Sequence, residues 1–355
     1  MSRLFRHTLT LVLTGWILAG CAYDDVVREI RKSSDDSLPI MFENGLIDKP
    51  VITKATTLLS DHTNTMGVWG WQNSPAVGIE CLFRNQEVTF NATLGKWVYL
   101  PPKYWEIHSN YQFYAYAPYS SNQLGTVATI DTITHAISIK GITLQGSNTI
   151  DSGVPELPAR FIDEIDDDWM IDRTGQKMSG MLHQEVTFNM QHILSKVCVR
   201  VCRSNTFPVD SLVGLTVDSV KLEGYVSQGD YTQQFNITPL DPSCEWTQID
   251  TLPRYDIVSA KNVSIPDSAL YVLEALTIPQ AIGNDHGVRI WYTIDHRNGY
   301  VDHLSYKFKL NELFTQFDTG CNYILTAIIG SGTEPIVFNG TSNDWDNYGT
   351  YLQIK

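Results

Sequence analysis

The chain has 355 residues, 43% of them hydrophobic, and a formal net charge of −14. That length and apolar content suffice for two cored domains of ordinary size. An acidic chain without a basic cluster argues against nucleic acid as a partner and against docking on anionic lipid.

The first element is the stretch Leu9 to Asp25, "LTLVLTGWILAGCAYDD", which follows two positive charges, Arg3 and Arg6. Its apolar run, Leu9 to Ala19, has 11 residues. A spanning helix needs about 20, so the run fits the core of a signal peptide and not a retained anchor. It ends Leu18-Ala19-Gly20-Cys21, an order that resembles the bacterial lipobox. In that signal the cysteine sulfur receives a diacylglycerol, cleavage falls between Gly20 and Cys21, and the new amine is acylated. The competing reading is an ordinary signal peptide with a chance cysteine. Several acyl chains on one residue give stable attachment, at about 0.8 kcal/mol for each buried methylene. Loss of residues 1–20 removes Arg3, Arg6 and no acid, so the charge falls from −14 to −16. The charged, serine-rich segment 21–37 reads as a tether, and its Asp24-Asp25 pair is similar to an acidic surface-export signal.

Beyond the tether the chain reads as strands. Period-two alternation, β-branched and aromatic enrichment, and Gly, Pro, Asn and Asp punctuation recur at sandwich-like intervals. In chain order the expected strands are Leu38–Leu46, Met66–Trp71, Glu87–Ala92, Trp97–Leu100, Tyr111–Pro118, Thr126–Ile130 and Ile137–Lys140. The polar run from Gly146 to Gly180, with its acids Asp163, Glu164, Asp166, Asp167 and Asp168, reads as a solvated linker. A fresh set then follows: Glu185–Met190, Ser195–Cys202, Leu215–Glu223, Tyr271–Ile278, Val288–Ile294, Tyr323–Ile329 and Pro335–Phe338. Leu310, Leu313, Phe314 and Phe317 suggest one or two helical turns. The fold class is therefore all-β, with β-sandwich domains expected at 38–180 and 181–355.

Several strings in this order resemble one family, the fimbrillin-like subunits of type V pili. They are "WVYLPPKYWEIHSNYQFYAYAP" from Trp97, "DDWMIDRTG" followed by "VTFNMQHILSKVCVRV", "LTIPQ" at Leu276 to Gln280, and "CNYILTAIIG" with "IVFNGTSNDWD". The resemblance runs from about residue 38 to 350. It implies two transthyretin-like β-sandwiches, no catalysis, a role in adhesion, and assembly with other pilus subunits by β-strand exchange. A processing protease, cutting after a basic residue, removes the first strand and opens a groove for a neighbour's strand. Here Leu38–Leu46 is the strand, and Lys54-Ala55-Thr56 stands where many relatives have arginine. Lys54–Ala55 is then the candidate maturation site. The alternative is a surface-loop lysine in an uncleaved subunit anchored in outer-membrane lipid through Cys21. The expected location is the cell surface, as an outer-membrane lipoprotein, and the pilus after maturation. The tail residues Ile336–Phe338, Trp345, Tyr348, Tyr351, Leu352 and Ile354 are either the donor strand or the last strands of their own domain.

No nucleophile elbow, phosphate loop, GxGxxG or HExxH motif occurs, and His183 and His192 lack metal-ligand spacing. No catalytic residue, cofactor or metal is expected. His192 reads as a core or edge histidine. Cys81, Cys198, Cys202, Cys244 and Cys321 read mainly as free thiols; Cys198 and Cys202 would lie ~13 Å apart along a strand, too far to bridge. A disulfide from Cys244 stays open. With nine Trp and 17 Tyr, a surface glycan-binding lipoprotein that does not polymerise is the alternative function. Trp69, Trp97 and Trp105 are expected to fill cores instead.

Overall fold

The computed structural model describes residues 39–45, 65–91, 93–94, 96–106, 109–117, 119, 127–131, 136–144, 161–167, 186–189, 191–205, 207, 213–234, 243–248, 255–266, 268–296, 299–330, 336–344 and 352–353. The first strands are β1 (Phe42–Gly45), β2 (Met66–Ser74), β3 (Gly78–Asn91), β4 (Lys96–Val98), β5 (Asn110–Ala117), β6 (Val127–Ile130) and β7 (Ile137–Thr143). They are followed by β8 (Phe161–Asp167), β9 (Val186–Asn189), β10 (Gln191–His192), β11 (Ser195–Arg203), β12 (Gly214–Tyr225), β13 (Gln228–Gln234) and β14 (Ser243–Gln248). The last are β15 (Tyr255–Ser264), β16 (Leu270–Thr277), β17 (Gln280–Ala281), β18 (Gly287–Asp295), β19 (Val301–Lys309), β20 (Gln316–Phe317), β21 (Cys321–Ile329), β22 (Val337–Asp344) and β23 (Leu352–Gln353). The all-β expectation holds. The expected helical turns shrink to one 3-10 turn, Leu310–Glu312, which drops Leu310, Phe314 and Phe317 into the core.

The strands gather into two units that interleave along the chain. The first comprises residues 1–44, 68–114 and 164–188; the second comprises 45–67, 115–163 and 189–355. In the first, the sheet order β5-β2-β3-β4-β1-β9 is not flat. Strands β5 and β1 stand four places apart, about 19 Å at 4.8 Å per strand, yet Phe113 and Phe42 have ring centroids 5.9 Å apart. The sheet curls until its ends share a core. Gly70 on β2 permits this closeness, because a Cβ there would meet Phe83 at 2.7 Å and Phe113 at 2.8 Å.

The second unit contains a sandwich. One sheet has the order β15-β12-β18-β19 and the other β16-β11-β21-β22-β23. Alternation delivers the core: Leu215, Val217, Val220 and Leu222 from β12 share one cluster with Val197, Val199 and Val201 from β11, joined by Ile290 of β18 and Leu325 of β21. Strand β11 runs parallel to β21 and antiparallel to β16. Its other face is also closed, since Lys196 and Cys198 are 2% exposed. Lys196 Nζ lies 3.6 Å from Glu274 Oε1, and the Cys198 thiol reaches the same carboxylate. Five cysteines are free thiols, so no bridge forms from Cys244.

Two organisational expectations change. The hairpin β6–β7, expected in the domain before residue 181, is bonded to β13, with Ile139 opposite Tyr231 and Ser138 opposite Thr232; all of it falls in the second unit. The acidic stretch expected as a linker is in part a strand, β8, whose Phe161 and Ile162 pair with His192 and Gln191. The sequence signal misleads there because a run of acids is depleted in strands on average, and pairing to β10 overrides propensity.

Candidate functional site

The place where one segment of chain fills a groove built by others is the seat of β1. Residues 39–42 alternate half-buried and buried, with Ile40 and Phe42 fully enclosed, the pattern of a strand with one face on a core. The Phe42 ring enters a box of four aromatics drawn from the rest of the first unit. Its centroid is 5.4 Å from Phe83, 5.6 Å from Tyr99, 5.9 Å from Phe113 and 5.7 Å from Phe188. Two of these are edge-on, the geometry that aromatic quadrupoles favour.

The backbone of the segment is held on both edges. On one side Phe42 registers with Trp97 of β4, Pro39 bridges Tyr104, and Ile40 N donates to Lys103 O at 2.8 Å. The Tyr99 hydroxyl donates to Ile40 O at 2.8 Å; burial pushes this phenol well above its ordinary range, so it stays a donor at physiological pH. On the other side Val186 N donates to Met41 O at 2.8 Å. Strand β1 therefore lies between β4 and β9 and supplies partners to both. Without it, the two strands would face each other across a vacated, aromatic-lined slot with unpaired backbone groups, the condition that invites pairing with another chain.

The other end of the chain is paired within its own molecule. Strand β22 is antiparallel to β21 in register from Val337 to Asp344, and β23 folds back on β22, with Leu352 opposite Ser342. Ile336 and Phe338 are core residues, and Gly340 is required where a Cβ would meet Phe314 at 2.7 Å. Of the two readings of the tail, its first part is the domain's own strand.

The expected processing residues, Gly20, Cys21, Lys54 and Ala55, lie outside the described residues, as do His183 and Asp168. His192 is buried on β10. Trp69, Trp97 and Trp105 are at most 4% exposed and act as core, as expected. Among the described residues no group of three or more His, Cys, Asp or Glu side chains could hold a metal, and no helix is long and apolar enough to cross a membrane. The box residues Phe83, Tyr99, Phe113 and Phe188 were missed as a set. Each sits in an alternating string, but no local signal says that four such strings converge on Phe42.

A comparison with curated proteins finds no match. Among solved structures, a fimbrial protein from Bacteroides vulgatus superposes with a TM-score of 0.55 at 14% identity, over 88% of this chain and 100% of that one. A candidate cell adhesion protein from Bacteroides uniformis gives 0.50, also at 14% identity and with the same coverage. At such identity these likenesses establish the fold alone. Residues 168–345 match the model of the fimbrillin-like family, half of the sequence. The chain belongs to the fimbrillin-like family.

Proposed function

We propose that the protein is a structural subunit of a cell-surface type V pilus, assembled by protease-triggered β-strand exchange. The observation that carries this reading is the seat of β1: a terminal segment bonded on both edges, its Phe42 plugged into an aromatic box. In the precursor, acyl chains on Cys21 hold the subunit at the outer membrane while its own first strand fills the slot. Cleavage between Lys54 and Ala55 separates anchor and strand from the body, and a neighbour's strand enters between β4 and β9. The donor is the tail beyond Asp344. Strand β22 is committed to its own core through Phe338, whereas among the described residues β23 pairs with it at Leu352 and Gln353.

The test is Lys54→Ala in the native host. The variant should remain a full-length, membrane-bound monomer, and high-molecular-weight ladders on unheated gels should disappear. N-terminal sequencing of assembled wild-type fibres should begin at Ala55; fibres whose subunits begin at Cys21 would overturn strand removal as the trigger. Cys21→Ala should shift the chain from the membrane fraction to the soluble envelope fraction, and wild type that takes up no fatty-acid label refutes lipidation.

A further inference from the structure

A surface cleft of about 280 Å³ opens in the second unit between β14 and the ribbon formed by β17 and β20. This is below the usual range for drug-sized ligands, about 300–1,000 Å³, so its occupant is a single small ring or side chain. Its lining includes Trp246, half-buried, and the polar residues Gln316, Asp318 and Thr319. The floor includes the buried residues Gln280 and Phe317.

What distinguishes this cleft from a chance dent is that its recognition groups are fixed from behind. The Trp246 indole N–H donates to Ile193 O at 3.0 Å, and its ring leans on Tyr231 at 5.1 Å. The indole is thereby fixed, with its N–H already taken. Asp318 is held at three points. Its N–H donates to the Tyr323 hydroxyl at 2.8 Å, that hydroxyl donates to Asp318 Oδ2 at 3.0 Å, and its carbonyl accepts from Ser195 Oγ at 2.7 Å. The Gln316 amide donates to Oδ1. Gln280 anchors the floor, accepting from Val226 N at 2.9 Å and donating to Ile278 O at 2.8 Å.

We propose that this cleft binds one neutral sugar ring, stacked on Trp246 and hydrogen-bonded through its hydroxyls to Asp318 and Gln316. A carboxylate has about four acceptor sites; two are taken from within, and the two left match a pair of neighbouring hydroxyl donors. An indole and polar side chains lining one cleft fit a ligand with one apolar C–H face and a hydroxyl edge. The Asp318 carboxylate and the net charge of −14 disfavour sialylated or sulfated sugars. The inference rests on the adhesive side of the pilus reading and names a ligand class for it; it does not depend on strand exchange.

The experiment is saturation-transfer difference NMR on the full-length chain with methyl glycosides of glucose, galactose, mannose, fucose and N-acetylglucosamine. Sialic acid and N-acetyl-lysine methylamide serve as comparators. At least one neutral glycoside should receive saturation on its ring C–H face. Trp246→Ala and Asp318→Asn should each weaken that binding at least about tenfold, the loss expected for one aromatic contact or one charge-assisted hydrogen bond. Trp291→Ala, on the separate sheet of β18, should leave it unchanged. Should a cleft variant fail to fold, alkylating the exposed rim thiol Cys244 with a bulky maleimide in folded wild type must block binding, with Cys244→Ser resistant to the block. No saturation of any glycoside, binding indifferent to these changes, or preference for sialic acid or the lysine derivative overturns the proposal. Ladder formation in the same preparations separates the two readings: ladders without sugar binding sink only this inference, and sugar binding without ladders sinks only strand exchange.

Discussion

Phe42→Ala tests the seat of β1 directly. The ring is fully buried among four aromatics, so truncation removes its transfer free energy and leaves a cavity walled by rigid rings that cannot collapse far. Buried Phe→Ala changes cost about 3–5 kcal/mol, and walls this stiff argue against the low end. The loss should fall on the opening of the segment that Phe42 pins. The local reporters are the amides of Val186, bonded to Met41 O, and Ile40, bonded to Lys103 O. At about 1.4 kcal/mol per tenfold, their hydrogen exchange should accelerate by roughly two to three and a half orders of magnitude, unless global unfolding already sets the rate. Amides of β12 and β18, in the second unit, should barely change. Phe42→Leu should restore most of the protection by refilling the slot. If Val186 and Ile40 exchange within threefold of wild type, Phe42 is not what holds the strand, and the slot is not an aromatic-keyed seat.

Gly70→Ala should cost about 1–3 kcal/mol by overpacking, because its Cβ would strike the Phe83 and Phe113 rings; a denaturation midpoint unchanged from wild type would refute the packing argument. Glu274→Ala leaves the Lys196 ammonium buried without its carboxylate and should cost about 3–5 kcal/mol, whereas Lys196→Met with Glu274→Leu should recover most of that. A double variant no better than the single would show that the pair itself supplies the stability. Glu223 is partly buried, which raises its carboxyl pKa, but hydrogen bonds and charge from Lys307 and Arg289 outweigh this and hold it below the ordinary value. Between the lowered folded value and the unfolded value the unfolded chain binds more protons, so stability rises with pH there. The gap between wild type and Glu223→Gln in chemical denaturation should therefore be full at pH 7 and shrink as pH falls below about 4.3, the unfolded glutamate value. A gap that widens in acid would contradict the assignment.

Legibility in the sequence followed the reach of the interaction. Strands with one buried face, such as β12 and β18, were readable because alternation is local. Strand β19, Val301–Lys309, was missed although Leu304, Tyr306 and Phe308 alternate along it; what fixes that face is non-local, the edge that β18 offers from Gly287 to Asp295 and the stacking of Tyr306 and Phe308 on Phe338. Strands β13 and β14 were missed because Gln, Thr and Ser dominate them; β14 rests on β13, whose other partner, β7, lies nearly ninety residues earlier. The first strand was found from its apolar string, yet the box that receives it draws on β3, β5, β9 and the residue after β4. No window shorter than the whole first unit contains that information. The cleft was equally invisible, because Trp246 and Asp318 acquire their roles from Ile193 and Tyr323 behind them.

The geometry of β1 also bears on why a cut would be needed for exchange at all. The 20 residues 46–65 join β1 to β2, and covalent linkage across so few residues holds the segment at an effective concentration near the millimolar range. A donor strand from another subunit, arriving at micromolar concentration, is outcompeted by roughly a thousandfold even if it fits the slot equally well. The proposed cleavage between Lys54 and Ala55 would alter none of the ring contacts of Phe42 nor its pairing with Trp97, but it would make the resident strand a separate molecule. Its advantage then disappears on diffusion, while an incoming donor remains tied to a whole subunit. Under the strand-exchange proposal, the covalent link and not the quality of the fit is what keeps the precursor closed. A strong seat for β1 is thus compatible with the proposed exchange, because the same aromatic slot that stabilises the resident strand would stabilise the joint that replaces it.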